Sequence, residues 1–115
     1  MAFLDIKQES IEPFVISCET LSEHANINGM VHGGVLFYIS DDIIGRYVTH
    51  LGRKGAAADS NIHYYRPAIL GKKLYASIEE RKIGRRLATF QVVLKDEDGR
   101  HIADSLFTVA FEEEK

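Results

Sequence analysis

The chain has 115 residues, of which 45% are hydrophobic, and a formal net charge of -3. This length suits one domain with its own core and is too short for two ordinary domains, so we predict a single domain over residues 1–115. The negative charge argues against nucleic acid as a main partner, and no apolar run approaches the roughly 18 residues that cross a bilayer.

Two strands and a long loop are predicted first. Residues 3–9 and 14–20 are rich in β-branched and aromatic residues and flank a Glu-Pro pair, which predicts a strand pair joined by a turn. Residues 21–34 are rich in Asn, Gly and Ser, which indicates an irregular loop of a length that usually carries function. The N-terminus lacks the pattern of a secretory signal, and the lone Cys18 cannot form an internal disulfide, so we expect a cytoplasmic location.

One helix and four strands complete the predicted fold. Residues 33–51 are the only segment with sustained helical spacing, and Gly52 suits a helix C-terminus. Strand patterns follow at 58–68, 73–83, 85–99 and 100–111, and the last three are preceded by turns that each contain a glycine. These elements predict an α+β fold with one long helix and a mostly antiparallel sheet.

Two aspartates stand in the middle of the predicted helix. At 100° per residue, Asp42 falls on a polar side, where Arg46 at the i+4 position can pair with it. Asp41 falls beside a second apolar stripe, opposite a first apolar face. The first face contains Val35, Leu36, Ile39, Ile43 and Tyr47, and the second stripe contains Phe37, Ile44, Val48 and Leu51. We expect the sheet to cover one face and a second copy of the chain to cover the other.

A carboxylate in an apolar row must be hydrogen-bonded, paired or raised in pKa, because isolated burial of its charge is costly. Perturbed acids of this kind are candidates for catalysis. Asp41 is therefore a candidate catalytic acid, and the alternative is that it lies at the edge of the stripe and caps or pairs with a neighbouring arginine.

The segment NINGMVHGGVLFYISDD, residues 26–42, resembles the signature of hotdog-fold acyl-CoA thioesterases of the phenylacetate-degradation (PaaI-like) type. In that family an HGG turn starts the central helix and an acid lies nine residues after the histidine, which here is Asp41. The resemblance continues from residue 60 to residue 111. It implies a hotdog fold, in which an antiparallel sheet of five or six strands wraps a long central helix.

The resemblance also implies roles for four residues, in hydrolysis of an acyl-CoA thioester at sites between two subunits. Asp41 would be the nucleophile or the general base that activates water, and the backbone N–H of Gly33 would polarise the thioester carbonyl. Asn26 would help to hold the water or the thioester, and His32 would shape the turn or, as an alternative, act as the base. No cofactor is implied, because coenzyme A is part of the substrate.

One position departs from the family pattern. Related enzymes often place Ser or Thr near the start of the strand after the helix, two residues before an Asp. Here Ala57 precedes Asp59 by two residues. The chain therefore lacks a polar partner for the water or the acid at this position, which bears on its rate.

The spacing of Gly33 and Asp41 predicts a shared site. A helix N-terminus offers free N–H groups and the positive end of the dipole to a developing oxyanion. The two residues are eight positions apart, about 12 Å at 1.5 Å per residue, whereas a reacting carbonyl needs each group within about 3 Å. We therefore expect Gly33 of one chain to face Asp41 of another, in a homodimer or a homotetramer that is a dimer of dimers.

Further side chains are candidates for substrate contact. Arg81, Lys82, Arg85 and Arg86 could bind the phosphates of coenzyme A, or could form a solvated hairpin. We also assign substrate contacts to Gly34, Asn61 and Tyr64.

Aromatic residues and histidines admit structural alternatives. Tyr64, Tyr65 and Phe90 could line an acyl pocket or fill the sheet core. The remaining histidines and Cys18 lack metal-ligand spacing, so no metal is predicted.

On these grounds we predict hydrolysis of a small or medium acyl-CoA, with an aryl or aliphatic acyl group. The alternative is a non-catalytic acyl-CoA binding or sensing module, which Ala57 favours and Asp41 disfavours. A hotdog dehydratase acting on acyl carrier protein would need a catalytic histidine paired with an acid, and the sequence shows no such pair.

Overall fold

The computed structural model describes residues 4–113, which form one long helix and a six-stranded antiparallel sheet. The strands are β1 (Asp5–Ile11), β2 (Phe14–Glu19), β3 (Gly55–Tyr64), β4 (Leu74–Ile83), β5 (Leu87–Asp96) and β6 (His101–Phe111). Helix α1 spans Gly33–His50, and a short 3₁₀ helix spans Ser22–His24. The sheet order is β1-β2-β4-β5-β6-β3. The α+β fold and its six strands are as the sequence predicts.

The core lies between α1 and the inner face of the sheet. Strand β5 alternates between buried and partly exposed residues, as expected for a strand with one face on a core. Its buried Phe90 packs with the ring of Tyr47, and Phe37 of the helix stacks on Phe107 of β6 with 5.5 Å between ring centroids. The helix therefore takes its position from aromatic contacts with β5 and β6.

The sheet covers more of the helix than the helical spacing indicates. Helix α1 contacts strands β2 to β6, and residues from both predicted apolar stripes are buried within the single chain, including Ile39, Ile43, Ile44 and Val48. The expectation that a second copy must cover the second stripe is therefore wrong. A twisted sheet that curves around the helix covers both stripes.

The exposed line of the helix differs from the predicted one. It is formed by five residues that lie three or four positions apart: Gly34, Tyr38, Asp41, Gly45 and Thr49. Asp41 is thus exposed in the single chain, and its predicted place in an apolar row is wrong there. None of the helices within residues 4–113 is long and apolar enough to span a membrane.

Candidate active site

The N-terminus of α1 presents two backbone donors. The carbonyl of His32 accepts the N–H groups of Val35 at 2.9 Å and Leu36 at 3.3 Å. Within residues 4–113, the N–H groups of Gly33 and Gly34 have no acceptor. Because unpaired N–H groups at a helix N-terminus lie at the positive end of the helix dipole, they are suited to bind a developing negative oxygen.

The side chain of Tyr64 closes one side of this helix tip. Its Oη donates a hydrogen bond to the carbonyl oxygen of Gly33 at 3.0 Å. A Cβ on residue 33 would lie 3.1 Å from the same Oη, closer than nearly all such contacts. Glycine therefore allows β3 to hold the helix tip closely.

Asn26 organises the loop that leads to the helix. Its Oδ1 accepts the N–H groups of Asn28 at 2.9 Å and Met30 at 3.1 Å, and its own N–H donates to the Met30 carbonyl at 2.7 Å. Its side-chain amide nitrogen has no partner among the described residues. The oxygen thus stabilises the loop, while the nitrogen stays available as a donor.

Asn26, Gly33 and Tyr64 line one cavity, which we call the helix-tip cavity. Its volume is about 360 Å³, and the strand end and loop that follow β3 supply Tyr65, Arg66, Pro67 and Ala68. The structure therefore brings together three of the predicted site residues. A cavity of this size with a few polar groups is typical of small-molecule sites.

His32 and Gly34 line a second cavity of about 290 Å³, together with His24. The N–H of His32 donates to the carbonyl of His24 at 2.8 Å, while the His32 side chain is exposed. The buried ring of His24 accepts the N–H of Leu21 through Nδ1 at 2.8 Å. His24 therefore supports the turn before the helix, a role that the sequence analysis missed. The sequence pattern that indicates this role is a histidine three residues after Leu21, the spacing at which a capping-box side chain accepts a backbone N–H.

Asp41 lies in an open groove between α1 and the turn that joins β1 to β2. The groove has a volume of about 700 Å³ and is lined by Gln8, Ile11, Phe14, Asp41, Asp42, Gly45, Arg46, Thr49 and His50. Asp42 accepts the Nε of Arg46 at 2.6 Å, which confirms the predicted pair. The carboxylate of Asp41 has no hydrogen-bond or ion-pair partner within residues 4–113. The alternative of a capping or paired role for Asp41 has no support in this part of the chain.

A single chain does not bring the acid and the helix tip together. Asp41 and Gly33 line different cavities, and they are eight positions apart, which corresponds to about 12 Å of helix. The two groups therefore cannot act on one carbonyl from the same chain.

The predicted basic cluster is divided. Arg85 and Arg86 line a cavity that also contains Arg53, whereas Arg81 and Lys82 lie outside that cavity. Arg81 donates to the side chain of Gln91 on β5. Asn61 is exposed on β3 and does not line the helix-tip cavity or the groove that contains Asp41.

Neither a reactive thiol nor a cluster of metal-ligating side chains lies within residues 4–113. Burial, with a smaller contribution from the charge of Asp42, raises the pKa of the Cys18 thiol to about 12, so this thiol is a poor nucleophile near neutral pH. Among residues 4–113, no three His, Cys, Asp or Glu side chains are arranged to hold a metal ion.

The sequence is similar to a family model described as Thioesterase superfamily, which matches residues 28–103. Human acyl-coenzyme A thioesterase 13 is 33% identical over 104 residues, which cover 86% of this chain and 74% of that protein. A putative esterase of Deinococcus radiodurans is 31% identical over 91 residues, covering 78% of this chain. The chain spans 62% of the length of that esterase and 56% of one from Archaeoglobus fulgidus.

Solved structures share the architecture. A hypothetical thioesterase from Streptococcus pneumoniae, determined with coenzyme A, has a TM-score of 0.90 at 26% identity and covers 96% of this chain and 88% of its own. A variant of the phenylacetic acid degradation protein PaaI from Thermus thermophilus has a TM-score of 0.85 at 27% identity, covering 94% and 93%. These matches confirm the predicted hotdog fold and the resemblance to PaaI-like proteins.

Proposed function

Because the chain belongs to the thioesterase superfamily, we propose that it hydrolyses a small or medium acyl-CoA, aryl or aliphatic, to the free acid and coenzyme A. One observation carries the proposal: the same helix presents N–H groups at Gly33 and Gly34 and a carboxylate at Asp41 that have no partners within residues 4–113. A thioester needs both, since negative charge develops on its carbonyl oxygen while its carbonyl carbon is attacked. The coenzyme A complex of the pneumococcal relative supports the class of ligand.

Two reaction sequences use these groups. In the first, Asp41 attacks the carbonyl carbon, the C–S bond breaks, and water then hydrolyses the mixed anhydride. In the second, Asp41 accepts a proton from water as the water oxygen attacks the same carbon. In both, the Gly33 N–H stabilises the oxyanion and coenzyme A leaves as a thiolate that gains a proton. Neither sequence needs a cofactor.

The active site requires a second chain. In a twofold dimer with antiparallel α1 helices, Gly33 of the first chain faces Asp41 of the second. By symmetry, Asp41 of the first chain faces Gly33 of the second, so the dimer holds two identical sites. Strand β3 is an edge of the sheet, and an exposed edge supports association with another chain. We propose a homodimer or a dimer of dimers.

The residues near the helix tip position the thioester. The free amide nitrogen of Asn26 donates to the thioester or to the attacking water, and the Gly34 N–H is a second donor beside Gly33. His32 and Tyr64 hold the turn and the helix tip in place. We also propose that Asn61 contacts the substrate and that the four cations Arg81, Lys82, Arg85 and Arg86 contact the coenzyme A phosphates.

The second candidate is a non-catalytic acyl-CoA binding or sensing module, which Ala57 favours. In the pneumococcal relative, structures exist of variants in which alanine replaces an aspartate and a threonine that are sixteen positions apart. Ala57 follows Asp41 by sixteen positions, so this chain carries alanine at the spacing where that relative has threonine. Binding alone does not require the unpaired carboxylate of Asp41, which favours the enzyme.

The experiment is a panel of acyl-CoA thioesters of increasing chain length, with aryl members, assayed by release of the coenzyme A thiol. Asp41→Asn should abolish measurable turnover and leave the fold and acyl-CoA binding intact. Asp42→Asn is the matched control, because Asp42 is already paired with Arg46, and it should change the rate little. Near-normal turnover in Asp41→Asn, or equal losses in both variants, would show that Asp41 is not the catalytic acid. Binding without turnover of any substrate would favour the sensing module.

A further inference from the structure

The groove that contains Asp41 offers an apolar path along the second half of α1. Ile11 and Phe14 line it from the side of the β1–β2 turn, and Gly45 lines it one turn of helix after Asp41. Among the described residues, no neighbouring atom lies within 4 Å of a Cβ placed at Gly45, so the space beside it is open. An aliphatic acyl chain that leaves a carbonyl group at Asp41 can therefore follow the groove towards the end of the helix.

The same groove carries polar side chains towards the end of α1. We call them the far-end cluster, and they are Gln8, Thr49 and His50. The ring of His50 packs against Phe14, with 5.4 Å between ring centroids, but its two nitrogens make no hydrogen bond within residues 4–113. The imidazole is thus held by ring contacts while its nitrogens stay available to a ligand.

The other two residues of the far-end cluster keep acceptor oxygens. Gln8 donates through Nε2 to the carbonyls of Ser10 at 2.8 Å and Val15 at 3.2 Å, which fixes its amide. Its Oε1 accepts no hydrogen bond from the described residues. The Thr49 hydroxyl donates to the Gly45 carbonyl at 2.9 Å, so its oxygen can only accept from a further partner. The cluster therefore offers two acceptors and an imidazole that can donate.

A hydroxyl group matches this set of groups better than a carboxylate does. A hydroxyl can donate to one of the two acceptors and accept from His50, whereas a carboxylate has no hydrogen to donate. A carboxylate would also add negative charge to a groove in which Arg46 is already paired with Asp42 at 2.6 Å. The carboxylate of Asp41 in the same groove has no cation beside it within residues 4–113.

The length of the groove indicates how far this hydroxyl lies from the thioester. Asp41 and His50 are nine positions apart, which is about 14 Å of helix. An extended chain advances about 1.2 Å per bond, so the ten bonds from the carbonyl carbon to the oxygen of a 10-hydroxydecanoyl group span about 12 Å. The side chains at the two ends cover the remainder. A hydroxylated acyl group with one aromatic ring has about six bonds on this path, or about 7 Å, and stops short of the cluster.

We propose that the preferred acyl group is an aliphatic chain of about ten carbons that carries a hydroxyl at its far end, bound by the far-end cluster. The inference rests on the proposed function and narrows its substrate to a class, since hydrolysis then releases a hydroxylated medium-chain fatty acid. His50 becomes a specificity-determining residue that the sequence analysis did not single out.

The test compares four coenzyme A thioesters, with kcat and KM measured separately by thiol release. The acyl groups are decanoyl, 3-hydroxydecanoyl, 10-hydroxydecanoyl and the ω-carboxy group of the same length. The variants are His50→Phe, His50→Gln and the control Arg100→Gln. Phenylalanine keeps a ring against Phe14 and Tyr47 but removes both nitrogens, whereas glutamine restores a polar donor and acceptor. Arg100 lies in the β5–β6 turn and does not line the groove.

The wild type should prefer 10-hydroxydecanoyl-CoA over decanoyl-CoA by about two- to tenfold in kcat/KM, as expected for one neutral hydrogen bond. The 3-hydroxy and ω-carboxy substrates should show no such preference. His50→Phe should lower the ratio of the two kcat/KM values to about one, and His50→Gln should keep part of the preference. Arg100→Gln should keep the wild-type ratio. A general loss of activity cancels in this ratio, because both substrates undergo the same reaction.

Several results would overturn the substrate class and leave the proposed function standing. They are equal hydrolysis of decanoyl-CoA and 10-hydroxydecanoyl-CoA by the wild type, an undiminished preference in His50→Phe, and a preference for the ω-carboxy, 3-hydroxy or aryl substrates. If the wild type hydrolyses no acyl-CoA of any kind, the proposed function and this inference fail together.

Discussion

A shared active site can be tested by mixing two inactive variants. The first is Gly33→Pro, which removes the backbone N–H that is proposed to bind the oxyanion. Residue 33 is the first residue of α1, where proline is well tolerated. The preceding His32 has φ -58° and ψ 136°, the extended conformation that a residue before proline adopts. The second variant is Asp41→Asn, which retains Gly33.

The size of the rescue follows from the twofold arrangement. Random exchange of equal amounts of two variants makes about half of the dimers mixed. In each mixed dimer, one site joins an intact Gly33 to an intact Asp41, and the other site lacks both. The mixture should therefore recover about a quarter of wild-type activity, against a loss of about 10²- to 10³-fold for Gly33→Pro alone.

Gly33→Ala is the matched control for this experiment. It keeps the N–H but adds a Cβ 3.1 Å from Tyr64 Oη, so it reports the cost of that contact alone. The assay is thiol release after co-refolding, with subunit exchange verified by mass-tagged chains. If exchange is complete and the mixture is no more active than the sum of its parts, Gly33 and Asp41 do not act on one carbonyl across an interface.

Three further predictions concern single side chains. Ala57→Thr should raise kcat by up to about tenfold, since one added hydrogen bond contributes about 0.5–1.5 kcal/mol. An unchanged kcat would mean that the side chain at residue 57 does not bond to the water or to the acid. Gly45→Leu should shift the chain-length optimum of the acyl panel to shorter substrates, because Gly45 lines the groove that contains Asp41 and a leucine would fill part of it. An unshifted optimum would place the acyl chain outside the groove that contains Asp41. Burial raises the pKa of the Cys18 thiol to about 12, so thiol reagents at pH 8 should not modify it in the native protein and should modify it fully after unfolding. Rapid modification of the native protein would contradict this burial.

The sequence predicts the elements well where periodicity is strong. Helix α1 ends within one residue of its predicted limit, and the alternation in β5 places Phe90 in the core. Strand β3 ends at Tyr64 rather than at residue 68, because Tyr65 and Arg66 both donate to the Ile102 carbonyl and the chain then turns at Pro67. Local sequence does not encode this shared acceptor on another strand.

The prediction of the site is less accurate where the exposure or direction of a side chain depends on how the sheet packs around the helix. The helical spacing gives the angle of Asp41 about the helix axis. It does not show how far the curved sheet wraps around that axis, so the exposure of Asp41 could not be predicted from spacing.

The basic residues between β4 and β5 show the same limit of sequence-based prediction. A register shift between Glu80 and Lys82 makes Arg81 the extra residue of a β-bulge, which redirects a side chain. Arg81 therefore donates to Gln91, while Arg85 and Arg86 line the cavity that also contains Arg53.

The exposed line of α1 contains two glycines, and they give an independent reason to expect that another molecule contacts this face. Gly45 stands in the interior of an 18-residue helix, where glycine costs about 1 kcal/mol relative to alanine. Among the described residues, no neighbouring atom lies within 4 Å of a Cβ placed there or at Gly34, so packing within this part of the chain does not require either glycine. Gly45 lies one turn after Asp41 on this line and in the same groove, so a side chain at residue 45 would narrow the approach to the carboxylate. A helix that accepts this cost one turn from an acid with no partner among residues 4–113 fits a face that receives a substrate and the helix tip of a second chain.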